Sequence, residues 1–203
     1  MQKNTKKIAG PKYHHGDLRR AIMEAALQLI EESGLQNLSL REIARKIGVT
    51  TAAPYHHFKD RKALLIQITI HGYGQLLAAL EAAREPAKNV QAELEAETRA
   101  YLHFAQQHAA LYAVMFSSEL TNHGSVELRT VADSCLAVLF SSMAKLGKLE
   151  KQKIAEAALC VWSMLHGLIV LDQNNMLEEE RSEQQRIAVQ GVLNIVRGFS
   201  KSA

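Results

Sequence analysis

The stretch LSLREIARKIGVTTAAPYHHF, residues 38–58, carries the local signals that decide the fold of this chain. Ser39 followed by Glu42 has the spacing of a capping box, in which each side chain satisfies a free amide at a helix start. Gly48 can adopt the left-handed conformation of a tight turn, and Ala44 is small where two helices must cross closely. The stretch therefore predicts a helix, a tight turn and a short second helix, which is the helix-turn-helix pattern.

The short second helix is predicted to enter the major groove of DNA. A threonine can cap its start, at Thr50 or Thr51, and Pro54 lies close enough to that start to remove at most one internal hydrogen bond. Small outward side chains would let the backbone approach base edges, while polar and basic ones would contact phosphates. The predicted DNA-binding residues are Ser39, Arg41, Thr50, Thr51, Ala52, Ala53, Tyr55, His56, His57, Lys59 and Arg61.

The charge distribution agrees with a polyanion partner for the front of the chain. The chain has 203 residues and a formal net charge of +3, with 47% apolar residues. Residues 1–62 hold 12 Lys and Arg against 6 Asp and Glu, whereas the remainder holds 12 against 15. The alternative is a solvated surface of uneven charge, and the asymmetry alone does not decide between the two.

The rest of the chain has helical periodicity throughout and no sustained alternation, which predicts an all-α protein. Asp17 is a candidate cap for the first helix, Gly34 its stop, and Asp60 a candidate cap for a long fourth helix that Pro86 interrupts. Further helices are predicted at about 89–107, 109–118, 125–146, 151–174 and 180–199. The predicted organisation is a flexible basic arm (1–14), a three-helix helix-turn-helix head (15–62), and a helical bundle for ligand binding and dimerisation (63–203).

Several features favour a cytoplasmic location. Two cysteines, Cys135 and Cys160, in helical patterns are typical of a reducing compartment without a disulfide framework. The lysines near the N-terminus are not followed by the apolar run of a signal peptide. The most apolar segment, Ala157 to Leu171, is shorter than a membrane span needs, so we predict a buried helix there and no membrane partner.

Neither a metal site nor a catalytic site is predicted. Adjacent histidines on a helix point about 100° apart, so the pairs at 14–15 and 56–57 make no chelate, and His103 and His108 are poorly spaced for one face. No pairing of a nucleophile with a base and no phosphate-cradling loop stands out. We therefore expect no metal, no cofactor and no enzymatic activity; the alternative is a helical enzyme or metal-binding protein with an incidental basic surface.

The chain resembles the TetR/AcrR family of bacterial transcriptional regulators over about residues 15–66. The resemblance rests on LSLREIA at 38–44, GVT at 48–50 and PYHHFKDRKALL at 54–65. It implies that Tyr55 and Arg61 contact phosphates and that Phe58 is part of the core. Two positions depart from the family pattern, since Arg61 stands where Lys is usual and Pro54 where a branched apolar residue is usual. The stretch WSMLHGL at 162–168 is similar to the signature of a subgroup with a Trp-His-Gly C-terminal domain.

The resemblance also implies a homodimeric repressor that a small molecule releases from DNA. A head this small needs two copies on an inverted repeat, and the last two helices are long enough to form the dimer interface, or else to close the core of one monomer. A mainly apolar effector would bind in the rear domain and change how the long fourth helix spaces the two heads. The candidate pocket residues are Tyr101, His103, Phe104, Tyr112, Met115, Phe116, Met143, Trp162 and His166.

Overall fold

A computed structural model of the protein describes residues 15–120, 125–145 and 150–201. Within these ranges the chain forms eight α-helices and no strand, which confirms the all-α prediction. The predicted basic arm, residues 1–14, lies outside the described residues. The helices are α1 (His15–Ser33), α2 (Leu40–Lys46), α3 (Arg61–Arg84), α4 (Val90–Gln107), α5 (Ala109–Met115), α6 (Val126–Ala144), α7 (Lys151–Gln173) and α8 (Arg181–Lys201).

The chain divides into two compact units, and the division falls between Ile68 and Thr69, inside α3. We call residues up to Ile68 the head and those from Thr69 onward the rear unit. α3 corresponds to the predicted fourth helix. It ends at Arg84, just before Pro86, which agrees with the inability of proline to continue a helix.

The local signals at α1, α2 and the glycine turn after α2 form as expected, with one exception. The Ser39 Oγ accepts a hydrogen bond from the Glu42 amide at 3.2 Å and donates to the Glu42 carboxylate at 3.2 Å, so the capping box is present. Gly48 has a φ of 71°, the left-handed conformation that favours glycine after α2. The exception is Asp17, which lies inside α1 rather than at its cap, because the helix already includes His15.

The predicted recognition helix is a short 3-10 turn, Ala53–His56, rather than a regular α-helix. Pro54 has no amide hydrogen to donate to the carbonyl of Thr50, and that carbonyl accepts from Ala53 instead, at 3.0 Å. The predicted threonine cap is wrong, because Ala52 occupies the capping position and no side chain caps the turn. Pro54 itself is buried.

The core of the head is apolar. Ile22, Ile43, Leu64 and Leu65 are completely buried, and the Phe58 ring is only 2% exposed, as the resemblance implied. Residues that lie far apart in the sequence therefore enclose one small core beneath α2 and the turn. Burial of such side chains stabilises the head by roughly 1.5–3 kcal/mol each.

The rear unit is a helical bundle in which α8 packs against α4 and α7, and α6 packs against α7 and α4. Side-chain caps begin two of its helices, Asn89 at α4 and Ser125 at α6. Its core contains aromatic and aliphatic side chains such as Tyr112, Met143 and Val161. Both cysteines are free thiols, Cys135 buried and Cys160 exposed.

The prediction that α7 is a buried helix holds for only one of its faces. Its inner face, which includes Val161 and Leu165, is buried, but Leu159 is 57% exposed and Trp162 is 36% exposed. By length and composition alone α3 and α7 could each cross a membrane. The amphipathic burial of α7 instead fits a helix that packs on one side within its unit.

Candidate nucleic-acid interface and ligand cavity

The outer surface of the 3-10 turn carries most of the predicted DNA-binding side chains. Thr51, Ala52 and His56 are exposed, and the Tyr55 ring is 48% exposed. Among the other predicted residues, Arg41, Thr50 and Lys59 are exposed, while Ser39, Ala53, His57 and Arg61 are intermediate. The turn therefore presents small and polar side chains outward, on a surface of the head formed by residues that are close in the sequence.

A basic rim lies beside this turn, on α2. Arg41 and Arg45 are four residues apart, which places them on one face of the helix, and both line a shallow depression with Val49 and Thr51. Arg45 is 80% exposed, and its guanidinium lies 3.7 Å from the Glu42 carboxylate. The sequence reasoning missed Arg45, although its spacing from Arg41 could have identified it.

Arg61 differs from the other predicted phosphate contacts because the head already uses its guanidinium. The Arg61 Nη2 donates to the backbone carbonyl of Leu35 at 2.7 Å. The start of α3 is also fixed by Asp60, whose carboxylate accepts from the Ala63 amide at 2.8 Å, so the predicted Asp60 cap is present. Arg61 thus ties α3 to the turn that follows α1, a structural role that no sequence pattern indicates.

The rear unit contains a cavity of about 190 Å³ between α3, α4, α6 and α7. Four aromatic rings form much of its wall, and its polar groups come mainly from α4, with Tyr73 on α3 and Asp133 on α6. The lining residues are Tyr73, Leu76, Leu80, Glu97, Thr98, Tyr101, Phe116, Ala132, Asp133, Cys135, Leu136, Val138, Leu139, Val161, Trp162 and Leu165.

The predicted pocket residues divide into those at the cavity and those away from it. Tyr101, Phe116 and Trp162 line it, and Met115 lines an adjoining, more open depression of about 540 Å³. Three others are corrected by the structure for a common reason, since helical spacing does not reveal which core or surface position borders a void. His103 is exposed on the outer face of α4, Phe104 packs against the His108 ring with centroids 5.0 Å apart, and Met143 is fully buried elsewhere.

Tyr112 and His166 lie behind the cavity wall and connect to it through hydrogen bonds. The hydroxyls of Tyr101 and Tyr112 are 2.9 Å apart, and the Tyr112 hydroxyl lies 2.7 Å from His166 Nδ1. Burial lowers the pKa of His166, so the ring is neutral near pH 7 and its Nδ1 can accept a hydrogen bond from the Tyr112 hydroxyl. Burial also raises the pKa of Tyr101 to about 12 and raises the pKa of Tyr112, so both phenols stay neutral near pH 7.

A cluster of charged groups adjoins the cavity at Glu97, which the sequence reasoning missed. Glu97 is only 4% exposed, and its Oε1 accepts from Ser142 at 2.6 Å and lies 3.2 Å from Arg84 Nε. Lys145 and Arg84 also hold Glu93, at 2.7 and 3.8 Å. The apolar face of α4 runs through Leu94, Glu97, Thr98 and Tyr101 at helical spacing, so a carboxylate on that face was a readable signal.

Burial and ion pairing act in opposite directions on the two carboxyls of this cluster. Burial raises the pKa of Glu97 above its ordinary value, and the Ser142 hydrogen bond and Arg84 offset this only in part. The hydrogen bond from Lys145, helped by the charges of Lys145 and Arg84, lowers the pKa of Glu93. Of the two, only Glu97 lines the cavity. Within the described part of the chain, no group of three or more His, Cys, Asp or Glu side chains is placed to hold a metal ion.

An all-helical chain whose head exposes a helix-turn-helix surface, followed by a bundle with an apolar cavity, belongs to the class of helix-turn-helix transcriptional regulators. Comparison with known proteins places it within this class. Residues 22–68 match the profile of the "Bacterial regulatory proteins, tetR family", and residues 94–192 match the "Tetracyclin repressor-like, C-terminal domain". The chain belongs to the TetR family of bacterial regulators, as its sequence resemblance predicted.

Individual relatives support this assignment. The chain is 33% identical over 103 residues to the HTH-type transcriptional regulator BetI of Rhizobium meliloti. This alignment covers 49% of this chain and 50% of BetI. A solved structure of a protein of unknown function from Rhodococcus sp. RHA1 is 30% identical, with a TM-score of 0.79, and the match covers 93% of this chain and 98% of that one. A tetR-family regulatory protein from Rhodococcus RHA1 has the same fold at 23% identity, with a TM-score of 0.70 and coverage of 90% and 96%.

Family membership settles the broad class of activity. The protein is a DNA-binding transcriptional regulator and not an enzyme, and the family, rather than any missing catalytic group, is the ground for this conclusion. Proteins of this family are soluble and cytoplasmic, bind DNA operators and dimerise.

Proposed function

We propose that the protein is a dimeric repressor that binds an inverted-repeat operator and is released by a small, mainly apolar effector. The observation that carries this proposal is the exposed 3-10 turn beside Arg41 and Arg45, because it joins groups that can read bases to groups that can hold phosphates. The proposed domains are a flexible basic arm (1–14), a helix-turn-helix DNA-binding domain (15–62) and a helical ligand-binding and dimerisation domain (63–203). When bound to its operator the protein is associated with the nucleoid.

The proposed contacts divide by chemistry. Thr51, Ala52, Ala53 and His56 face base edges, where methyl groups suit thymine and the polar atoms can form hydrogen bonds. Phosphate contacts come from the remaining predicted residues and from the exposed Arg45. The phosphate set is Ser39, Arg41, Arg45, Thr50, Tyr55, His57, Lys59 and Arg61. Within it, Ser39 and Arg61 also hold the head together, so their loss is expected to reduce both stability and affinity.

Selection of bound duplexes from a random DNA library by the purified protein, near physiological salt, tests this proposal. An inverted-repeat motif is expected, because two symmetric heads read two half-sites. His56→Ala is expected to change the preferred bases at one position of each half-site, while Tyr55→Phe is expected to weaken binding to all sequences. Enrichment without any motif would reduce the head to a polyanion-binding surface and would contradict the proposal.

The proposed dimer interface consists of the exposed faces of α7 and α8. Leu159, Val170 and Leu171 on α7 and Ile187 on α8 are between 39% and 57% exposed, and an apolar surface on two adjacent helices favours a second copy of the chain. Leu159→Arg introduces two charges into a symmetric interface, so the dimer dissociation constant is expected to rise by about tenfold or more.

Val126→Arg is the matched control for this test, since Val126 is 83% exposed but lies on α6. Sedimentation velocity over a concentration range would measure both variants. If Leu159→Arg did not weaken the dimer, or if Val126→Arg weakened it equally, the interface would lie elsewhere.

The effector is proposed to bind in the cavity between α3, α4, α6 and α7. Because α3 runs from the head into the rear unit as one helix, a ligand that moves its rear half can change the spacing of the heads. A compound that binds in the cavity without changing the affinity for the selected operator would contradict this part of the proposal. The Trp-His-Gly subgroup, suggested by Trp162, His166 and Gly167, stays a prediction.

A further inference from the structure

We propose that the cavity of the rear unit selects an organic amine, with an apolar body held by the aromatic wall and an ammonium group held by Glu97. This inference rests on the proposed effector role of the cavity and adds the chemical class of its ligand. It depends on three observations: an oxygen of Glu97 without a partner, the aromatic wall, and the sign of the charges around the cavity.

The first observation is the state of the two Glu97 oxygens. Oε1 is fully engaged by Ser142 and Arg84, whereas Oε2 is buried and has no hydrogen-bond partner. Glu97 lines the cavity, and its side chain is only 5% exposed. A buried carboxylate oxygen left without a donor costs free energy, and a ligand that donates to it recovers that cost.

The second observation is the aromatic wall of the cavity that Glu97 also lines. Tyr73, Tyr101, Phe116 and Trp162 surround the cavity, and the Phe116 and Trp162 ring centroids lie 6.3 Å apart. Aromatic faces carry negative quadrupole charge and attract an organic cation within about 6 Å of the ring centre. The same rings offer apolar surface to the body of the ligand.

The third observation is the balance of charge. Among the described residues that line the cavity, two are acidic, Glu97 and Asp133, and none is Lys, Arg or His. Arg84 and Lys145 balance Glu97 and Glu93, whereas Asp133 is exposed and has no ion-pair partner in the described part of the chain. The cavity therefore has one uncompensated negative charge and one open acceptor, which favour a cationic donor over a neutral or anionic one.

The state of Glu97 agrees with this selection. Burial raises the pKa of its carboxyl in the free protein, so an arriving ammonium group would favour the ionised form and form a charge-assisted hydrogen bond with it. A ligand carboxylate, in contrast, would be repelled by Glu97 and by Asp133. Glu97 therefore distinguishes the amine from its neutral analogue, and Glu97 and Asp133 together distinguish it from its anionic analogue.

Isothermal titration of the purified full-length protein with ω-phenylalkylamines of increasing chain length tests the inference. Each amine is compared with the alcohol and the carboxylate of the same length. The amine is expected to bind about tenfold to a hundredfold more tightly than the alcohol, because a hydrogen bond to a charged group is the difference between them. Equal or tighter binding of the alcohol or the carboxylate would overturn the inference, and so would the failure of every amine to bind.

Two variants locate the effect at Glu97. Glu97→Gln keeps the size of the side chain and is expected to reduce the affinity for the amine to that for the alcohol. Glu93→Gln changes a neighbouring carboxylate of the same ion cluster that does not line the cavity, and the preference for the amine should survive it. A preference that survives Glu97→Gln would overturn the inference.

A third variant keeps the test valid if Glu97→Gln does not fold. Ala132→Leu on α6 fills part of the cavity without touching the ion cluster, so it is expected to weaken amine and alcohol alike. Unchanged binding of both would show that the probes bind elsewhere and would overturn the inference.

The outcomes for the cavity and for the proposed repressor are separable. Titration without DNA reports only on the cavity. If an amine binds through Glu97 but leaves operator affinity unchanged, the ligand class stands and the proposed release mechanism fails. If no operator motif is selected while amine binding still depends on Glu97, the proposed DNA recognition fails and the cavity inference stands.

Discussion

The head and the rear unit place their polar groups in opposite positions. In the described part of the head every buried side chain is apolar, and the arginines and lysines lie at or near the surface. All five buried polar residues of the described chain lie in the rear unit, namely Thr69, Glu97, Thr98, Ser142 and Gln184. Burying a polar group costs free energy unless it is satisfied, so the two units use their polar groups for different purposes. The head exposes its polar groups, whereas the rear unit buries several of its own, and two of these, Glu97 and Thr98, line the cavity.

The largest expected effect tests the apolar interior of the head. Phe58→Ala removes a ring that is 2% exposed and that also packs against the Arg19 guanidinium, 4.8 Å from the ring centroid. The variant is expected to destabilise the head by about 3–5 kcal/mol, because the lost ring leaves a cavity. Hydrogen exchange read by peptide should show protection lost in α1 and α2 and retained in α7. Equal loss of protection in both units would show that the head is not a separate unit of stability.

A smaller effect tests the buried carboxylate of the rear unit through pH. Because the folded pKa of Glu97 is raised above the ordinary 4.5, its contribution to stability is complete below about pH 4.5 and is lost as the pH rises through the folded pKa. The unfolding free energy of the wild type relative to Glu97→Gln is therefore expected to fall as the pH rises from 4.5 toward neutrality. Urea unfolding of the wild type and of Glu97→Gln at a series of pH values measures this difference in unfolding free energy.

Glu93→Gln is the control for this pH dependence, with the opposite sign. Lys145 and Arg84 lower the pKa of Glu93, so its contribution is present above about pH 4.5 and is lost as the pH falls. The wild type relative to Glu93→Gln should therefore gain stability with rising pH. If the stability difference changed with pH in the same direction for both variants, the assignment of Glu97 as a desolvated carboxyl and Glu93 as an ion-paired one would be wrong.

The smallest expected effect tests the outward charges of the head. Lys59 is exposed beside the 3-10 turn, and Lys59→Ala should reduce the slope of log affinity against log salt by about 1 without changing base preference. Lys88→Ala, which removes the same charge from an exposed position of the rear unit, should leave the slope unchanged. Fluorescence anisotropy with the selected operator measures both. Identical slopes for the two variants would remove Lys59 from the phosphate contacts.

The sequence predicted the parts of the fold that depend on local signals. Ser39 with Glu42, the left-handed Gly48 and the Asp60 cap all act within a few residues, so their chemistry can be read from the sequence. The 3-10 geometry around Pro54 could not be read in the same way, because it depends on how a buried proline is held by the rest of the head.

The cavity was predicted less well because it depends on long-range packing. Periodicity marks Phe104 and Met143 as core residues, but only the packing of four helices determines which core residues border a void. Glu97 was missed for a related reason. A carboxylate on an apolar helix face can be either exposed or buried. Only its contacts with Arg84 and Ser142, which lie elsewhere in the sequence, identify Glu97 as a buried group.

The chain contains a single tryptophan, Trp162, and this residue lies in the wall of the cavity. All of the tryptophan fluorescence of the unmodified protein therefore originates beside the proposed ligand site, with the His166 ring centroid 6.4 Å away as a potential quencher. The emission spectrum gives an optical signal for cavity occupancy that needs no label and no DNA. A library of compounds can then be screened for effectors before the operator is known, with the protein as its own sensor.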